Sequence, residues 1–205
     1  MAKIKLTKNE LKKQKDSLKM FLRYLPTLML KKQQLQAEIR TIEIKIKELT
    51  GEKEGIDESF KSWIAVFGER GFFTPGLVKI ARIKTARGNI AGVPIPLFQG
   101  AEFVTETYNL LRTPLWLDMA VERMKRVFLL DLEIRTLEEQ RRRLDHELRV
   151  TTQRVNLFEK IKIPETRTNI KKIQVYLGDQ QTSAVVRGKI AKRGMEADQR
   201  SGAAQ

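Results

Sequence analysis

The sequence contains no cysteine, so neither a disulfide framework nor a thiolate metal site is open to it. Its single histidine, His146, removes most of the remaining zinc arrangements. No apolar run approaches the roughly eighteen residues of a membrane span, and Met1 to Glu10 is too charged for a secretory signal. These absences predict a protein made and kept in the cytoplasm. Aromatic residues are scarce, 7% against 32% charged, a balance that fits an extended helical protein rather than a thick core.

What is abundant is positive charge. Forty Lys and Arg against 25 Asp and Glu leave a formal net charge of +15. Such an excess suits nucleic acid, anionic lipid or an acidic protein surface. Acidic residues are nonetheless interspersed at Glu38, Glu43, Glu48, Glu133, Glu138 and Glu139, so many of the cations simply solvate helix faces.

The dominant pattern is a sevenfold one. Ile4, Leu11, Leu18, Leu25, Ile39, Ile46, Phe60 and Phe67 form one apolar row. Phe21, Leu28, Leu35, Ile42, Leu49, Ile56 and Trp63 form a second in the same phase, the a and d rows of a coiled coil. The rows return as Val127, Ile134, Leu148, Val155 and as Leu130, Leu137, Leu144, Phe158. The predicted fold is mainly α: a long antiparallel two-helix coiled coil with a small β-hairpin head at the bend. The expected division is an N-terminal coiled-coil helix over 1–69, a head over 70–113, a C-terminal coiled-coil helix over 114–193 and a disordered tail over 194–205.

Local chemistry refines this outline. Thr7 with Glu10 three residues on reads as a capping box, Pro26 as a bend, and Lys32 as a polar interruption of the seam. Gly51 and Gly55 weaken the first helix, which is expected to end near Glu69 after Trp63 and Phe67, about 95 Å from its start. Gly68, Gly71, Pro75 and Gly76 punctuate a turn. Strand-like runs over Val78–Ile83 and Ile90–Leu97, separated by turn residues Thr85 to Asn89, predict a β-hairpin, with Pro94 and Pro96 placing its second strand at an edge. A short helix is expected over Glu102–Leu111, and Thr113-Pro114 reads as the start of the second long helix. Pro164 disturbs the phase there, since Ile170, Ile173, Leu177 and Ala184 continue on rows shifted by one residue.

If partner positions add to 183, the seam layers are Leu25 with Phe158, Leu28 with Val155, Leu35 with Leu148, Ile39 with Leu144, Ile46 with Leu137 and Leu49 with Ile134. Lys32 then faces Thr151, so two polar interruptions meet. Little of the remaining chemistry points to catalysis. His146 falls at an outward f position, no phosphate-binding glycine loop is present, and Glu138 and Glu139 sit on a helix surface. Arg141-Arg142-Arg143 lacks the interleaved aromatics of a general nucleic-acid site. Basic residues crowd both ends, Lys3, Lys5, Lys8, Lys12 and Lys13 at one and Lys171, Lys172, Arg187, Lys189, Lys192 and Arg193 at the other. An antiparallel hairpin would bring them to one tip.

Several stretches resemble the D subunit family of V-type (vacuolar/archaeal-type) rotary ATPases, the central stalk. They are Leu6 to Leu11, Leu28 to Gln33, Asn89 to Val93, Tyr108 to Asp118, Leu177-Gly178-Asp179 and Arg187 to Lys192. Leu6 departs from the pattern, since many members carry proline before Thr-Lys. The resemblance implies a non-catalytic rotor shaft that needs no cofactor or metal and couples ATP hydrolysis or synthesis to ion transport. Its implied partners are the hexamer of catalytic A and B subunits, the small F subunit and the C/d funnel subunit on the membrane side. Membrane contact would come only through the complex, on its cytoplasmic side. Candidate contacts are Lys5, Lys8, Arg187, Lys192 and Arg193 at the hexamer end and Arg82 and Arg87 in the head. The competing readings are a basic nucleic-acid-binding coiled coil, whose affinity would fall steeply with salt, and a membrane-associated scaffold, which would need a wider apolar face than this seam.

Overall fold

The computed structural model describes residues 4–61, 76–106 and 116–202. Its elements are helix α1 (Lys8–Lys61), strands β1 (Val78–Ile90) and β2 (Val93–Thr105), helix α2 (Trp116–Asn156), a π-helical turn (Leu157–Lys162) and helix α3 (Ile163–Gly202). The chain forms two compact units, one of residues 30–151 and one of residues 1–29 with 152–205. The expected end of the first helix near Glu69, the turn over Gly68 to Pro75, and the Thr113-Pro114 start lie outside the described residues.

Helix α1 begins with the Thr7 half of the expected capping box, while the Glu10 carboxylate accepts Gln14 Nε2 at 2.8 Å. Thr7 Oγ1 accepts the Glu10 amide at 3.3 Å, satisfying a donor that no earlier turn can reach, and the Thr7 carbonyl accepts the Leu11 amide at 3.0 Å as the first bond of the helix. The helix continues through Pro26, Gly51 and Gly55 without a break.

In the unit of residues 30–151, α1 and α2 run antiparallel. Lys31 meets Glu147 at 2.6 Å, Lys53 meets Asp131 at 3.0 Å, and Glu52 accepts two bonds from Arg126 at 2.9 and 2.6 Å. The position numbers of these pairs add to 178, 184 and 178, so as one rises the other falls. Leu35, Ile39, Ile42, Leu137 and Leu144 are buried in the seam between them. Full burial of each such side chain stabilises by roughly 1.5–3 kcal/mol.

The hairpin is longer than the sequence predicts and folds along the helices. Each strand has 13 residues, about 43 Å of extended chain. The base packs Leu77 and Val78 on Leu117 and Val121, with Phe103 stacked on Phe128 at 6.4 Å. The far end drives Val93 and Ile95 into the seam cluster, and Ile90 and Ala91 pack against it. From Leu117 to Arg143 is about 39 Å of helix, so strand and helix lengths match.

Two expectations about this region need correction. The turn is not at Thr85 to Asn89 but at Ala91-Gly92, whose positive φ values of 50° and 82° are those of a type I′ turn. Gly88-Asn89 is the better turn sequence, but Gly88 is needed inside the strand. A Cβ there would stand 2.9 Å from Leu97 Cδ1. Asn89 helps instead from one side, its Oδ1 accepting the Gly92 amide at 2.9 Å. Nor does a helix begin at Glu102, because Glu102 to Thr105 complete β2 opposite Arg82 to Val78; residues 107–111 lie outside the described region.

In the other unit, Phe21 and Phe158 meet with ring centroids 5.1 Å apart. The one-residue phase shift near Pro164 has a direct cause. Pro164 has no amide hydrogen, and just before it the helix widens to π geometry, with the Ile163 amide donating to the Phe158 carbonyl five residues back. A π turn holds one residue more than an α turn. The buried positions therefore resume as Ile163, Thr166 and Ile173, with Ile170 and Leu177 half-buried, all one step later than the upstream rows. Where a disordered tail is predicted from Gly194, α3 continues to Gly202, in keeping with the helix formers Met195, Glu196, Ala197, Gln199 and Arg200.

Candidate partner-binding surfaces

The predicted seam residues fall into two groups. Leu35, Ile39, Leu137, Leu144 and Val155 are buried. Leu25, Leu28, Ile46, Leu49, Ile134, Leu148 and Phe158 are half-buried. Thr151 is buried as well, at 1% exposure, while Lys32 is half-buried.

Ion pairs lie around this core. Besides the pairs across α1 and α2, Glu139 receives both Arg142, at 2.8 and 3.0 Å, and Arg143, at 2.8 Å. The Arg142 hydrogen bonds, followed by that of Arg143, hold the Glu139 carboxyl down at about 2. The Lys53 hydrogen bond lowers Asp131 below the usual carboxylate range, outweighing partial burial, and Arg135 adds to it. Arg123 donates to Ser59 Oγ at 3.2 Å.

The two edges of the hairpin differ. In β2, the Pro96 carbonyl accepts Gln140 Nε2 at 2.6 Å and the Pro94 carbonyl accepts Arg143 Nη1 at 3.3 Å. Gln140 is 6% exposed, and sequence reasoning missed it because a glutamine flanking the seam looks like any other surface residue. Strand β1 is exposed from Lys79 to Thr85. Lys79 pairs with Glu106 at 3.0 Å and Lys84 with Glu102 at 2.6 Å. Arg82 and Arg87, the predicted head contacts, are both exposed, and neither forms an ion pair among the described residues.

The predicted basic tip is staggered. Lys5 and Lys8 are exposed at the start of α1, and Arg187, Lys192 and Arg193 are exposed on α3. Counted from the Phe21–Phe158 pair at about 1.5 Å per residue, Lys8 is level with residue 171, and Arg187 stands roughly 24 Å farther on. From Gly178 to Met195 every residue of α3 is exposed. Val185, Val186, Ile190 and Met195, 49–70% exposed, lie among its cations. That mixture suits a protein surface better than a phosphate backbone, which would reward cations alone.

His146 is exposed beside Arg142, Arg143 and Glu147, in an open depression rimmed by Val93 and Pro94. Among the described residues no group of three or more His, Asp or Glu could hold a metal ion, and no helix is long and apolar enough to cross a membrane.

A paired helical seam with a hairpin laid against it in one unit, and an exposed basic helix in the other, define a coiled-coil protein whose surfaces are open to neighbours. A family model described as the ATP synthase D subunit matches residues 10–193. The chain is 52% identical over 192 residues to the V-type ATP synthase D subunit of Borreliella burgdorferi, covering 94% of this chain and 95% of that one. It is 34% identical to the V-type ATP synthase D subunits of Chlamydia muridarum and of Chlamydia trachomatis, covering 94% of this chain and 96% of each. The chain belongs to the ATP synthase D subunit family. Relatives of this kind give no support to the nucleic-acid-binding or scaffold readings.

Proposed function

We propose that this chain is the central rotor shaft of a V-type ATPase, carrying torque between the catalytic A/B hexamer and the membrane rotor ring. ATP hydrolysis or synthesis then belongs to the A and B subunits, and the chain contributes no catalytic group, cofactor or metal. The observation that carries this reading is family membership across 94% of the chain, joined to an ion-paired, hairpin-braced coil. A part that transmits torque must resist twisting, and packed seams with cross-helix ion pairs supply that resistance.

On this reading the exposed stretch of α3, with Arg187, Lys192 and Arg193, enters the hexamer together with Lys5 and Lys8. Arg82 and Arg87 face a partner at the hairpin. The F subunit and the C/d funnel subunit complete the stalk, on the cytoplasmic side of the membrane. The test is reconstitution with A, B and F subunits. Lys192→Glu with Arg193→Glu should loosen the complex by roughly tenfold and uncouple ATP hydrolysis from rotation, as expected for losing rim charges. Unchanged affinity and unchanged ATP-driven rotation would remove those two residues from the interface. Failure of the unaltered chain to rotate inside the hexamer would end the shaft reading.

A further inference from the structure

Residues Ile90 and Val93 close a two-residue type I′ turn, which makes them a hydrogen-bonded pair. Alternation then fixes every position up to the irregularity after Thr85. Ile90, Gly88 and Ala86 bond to Val93, Ile95 and Leu97, whereas Thr85, Arg87 and Asn89 point their amides and carbonyls away from β2. On β2 the outward positions opposite them are Pro94, Pro96 and Phe98; the two prolines have no amide to offer, and their carbonyls are taken by Arg143 and Gln140. Next to the turn, this edge of the sheet is chemically closed at both prolines. The other carries exposed Thr85, Arg87 and Asn89, has no proline, and forms no backbone bond to another element among the described residues.

We infer that the β1 edge takes up an acidic, extended segment of a partner protein as a third antiparallel or parallel strand. The occupant's chemistry follows from the strand's own side chains. Lys79, Arg82, Lys84 and Arg87 give β1 four cations and no acid, and Arg82 and Arg87 lack ion-pair partners among the described residues. A second copy of this strand would set cation against cation, which disfavours self-addition. The same cations attract alternating Glu or Asp, and exposed Ile80 and Ile83 offer apolar contact between them. This inference extends the reading of Arg82 and Arg87 as partner contacts and stands apart from torque: a failed strand addition leaves rotation untouched, and failed rotation leaves the edge open.

The test uses the full chain and a synthetic ten-residue peptide alternating valine with glutamate, followed by amide exchange. The Thr85, Arg87 and Asn89 amides should exchange quickly alone and at least about tenfold more slowly with peptide. A valine-lysine peptide, or the acidic one N-methylated along its pairing edge, should not protect them. Arg87→Pro removes one outward amide without touching the ladder to β2, so it should abolish binding, while Arg87→Ala should weaken it severalfold. Absence of protection at millimolar acidic peptide overturns the proposal. So does protection by the lysine peptide, or protection without peptide that grows with protein concentration, which would mean pairing between copies.

Discussion

The two units of this chain are built from the same helices to different standards. Residues 30–151 have a seam, a hairpin pressed along it, and cross-helix ion pairs from Lys31–Glu147 to Glu52–Arg126. Residues 1–29 with 152–202 have a sparser interior of Val155, Ile163, Thr166 and Ile173, and α3 then goes on uncovered. Two helices in contact can bury only a stripe of each. A third layer lets α2 bury a second face, with Phe128, Val121 and Leu117. The contrast teaches that dense packing and open surface are allotted to different stretches of one continuous helix.

The contrast breaks most sharply by changing helix phase. Deletion of Asp145 rotates Leu148, Thr151 and Val155 by about 100° out of the seam and should cost roughly 4 kcal/mol or more. Deletion of Lys160 instead lets the π turn relax to α with both sets of rows preserved, and should change stability by less than about 1 kcal/mol. Chemical denaturation of both variants decides it. Equal losses would mean that the widened turn does not absorb the extra residue.

Next in size is a pair of truncations. Leu144→Ala, at a fully buried site shared by the seam and hairpin, should cost about 3–5 kcal/mol, and Leu28→Ala, half-buried in the thinner unit, about 1–2 kcal/mol. Thermal melts compare them directly. Disulfide formation between Leu28→Cys and Val155→Cys, but not between a heptad-shifted pair, would fix the register there.

The smallest effect is acid-dependent. Asp131 is lowered by Lys53, so its contribution is complete above the ordinary value of 3.8 and is lost as pH falls through the depressed folded value. Both side chains are about 30% exposed, so roughly 0.5–1 kcal/mol is at stake. Asp131→Asn should flatten the decline of the melting temperature below about pH 4. An unchanged slope would show that the pair does not link α1 to α2 energetically.

Much of this was legible in the sequence, for reasons specific to each part. Heptads report burial by repetition, so Leu35, Ile39, Leu137 and Leu144 could be named from spacing alone. The break at Pro164 was visible as a phase slip, although its form was not, because periodicity counts residues and says nothing of hydrogen bonds. The hairpin was harder. Its turn uses Ala91 at a φ that alanine disfavours, held in place by Asn89 and by packing on the seam, while a better turn sequence lies inside the strand. Contacts such as Gln140 to Pro96 join distant elements and leave no local trace. The partner contacts proposed at Arg82, Arg87 and the basic ends came from family resemblance and charge, and structure adds only the exposure and stagger of these residues.

The hairpin also makes this stretch lopsided. Two helices alone present nearly the same outline after half a turn; a ribbon fastened down one flank, from Leu117 to Arg143, removes that equivalence. Any set of like neighbours arranged around these residues would each meet a different profile at a given moment, as followers do around a cam.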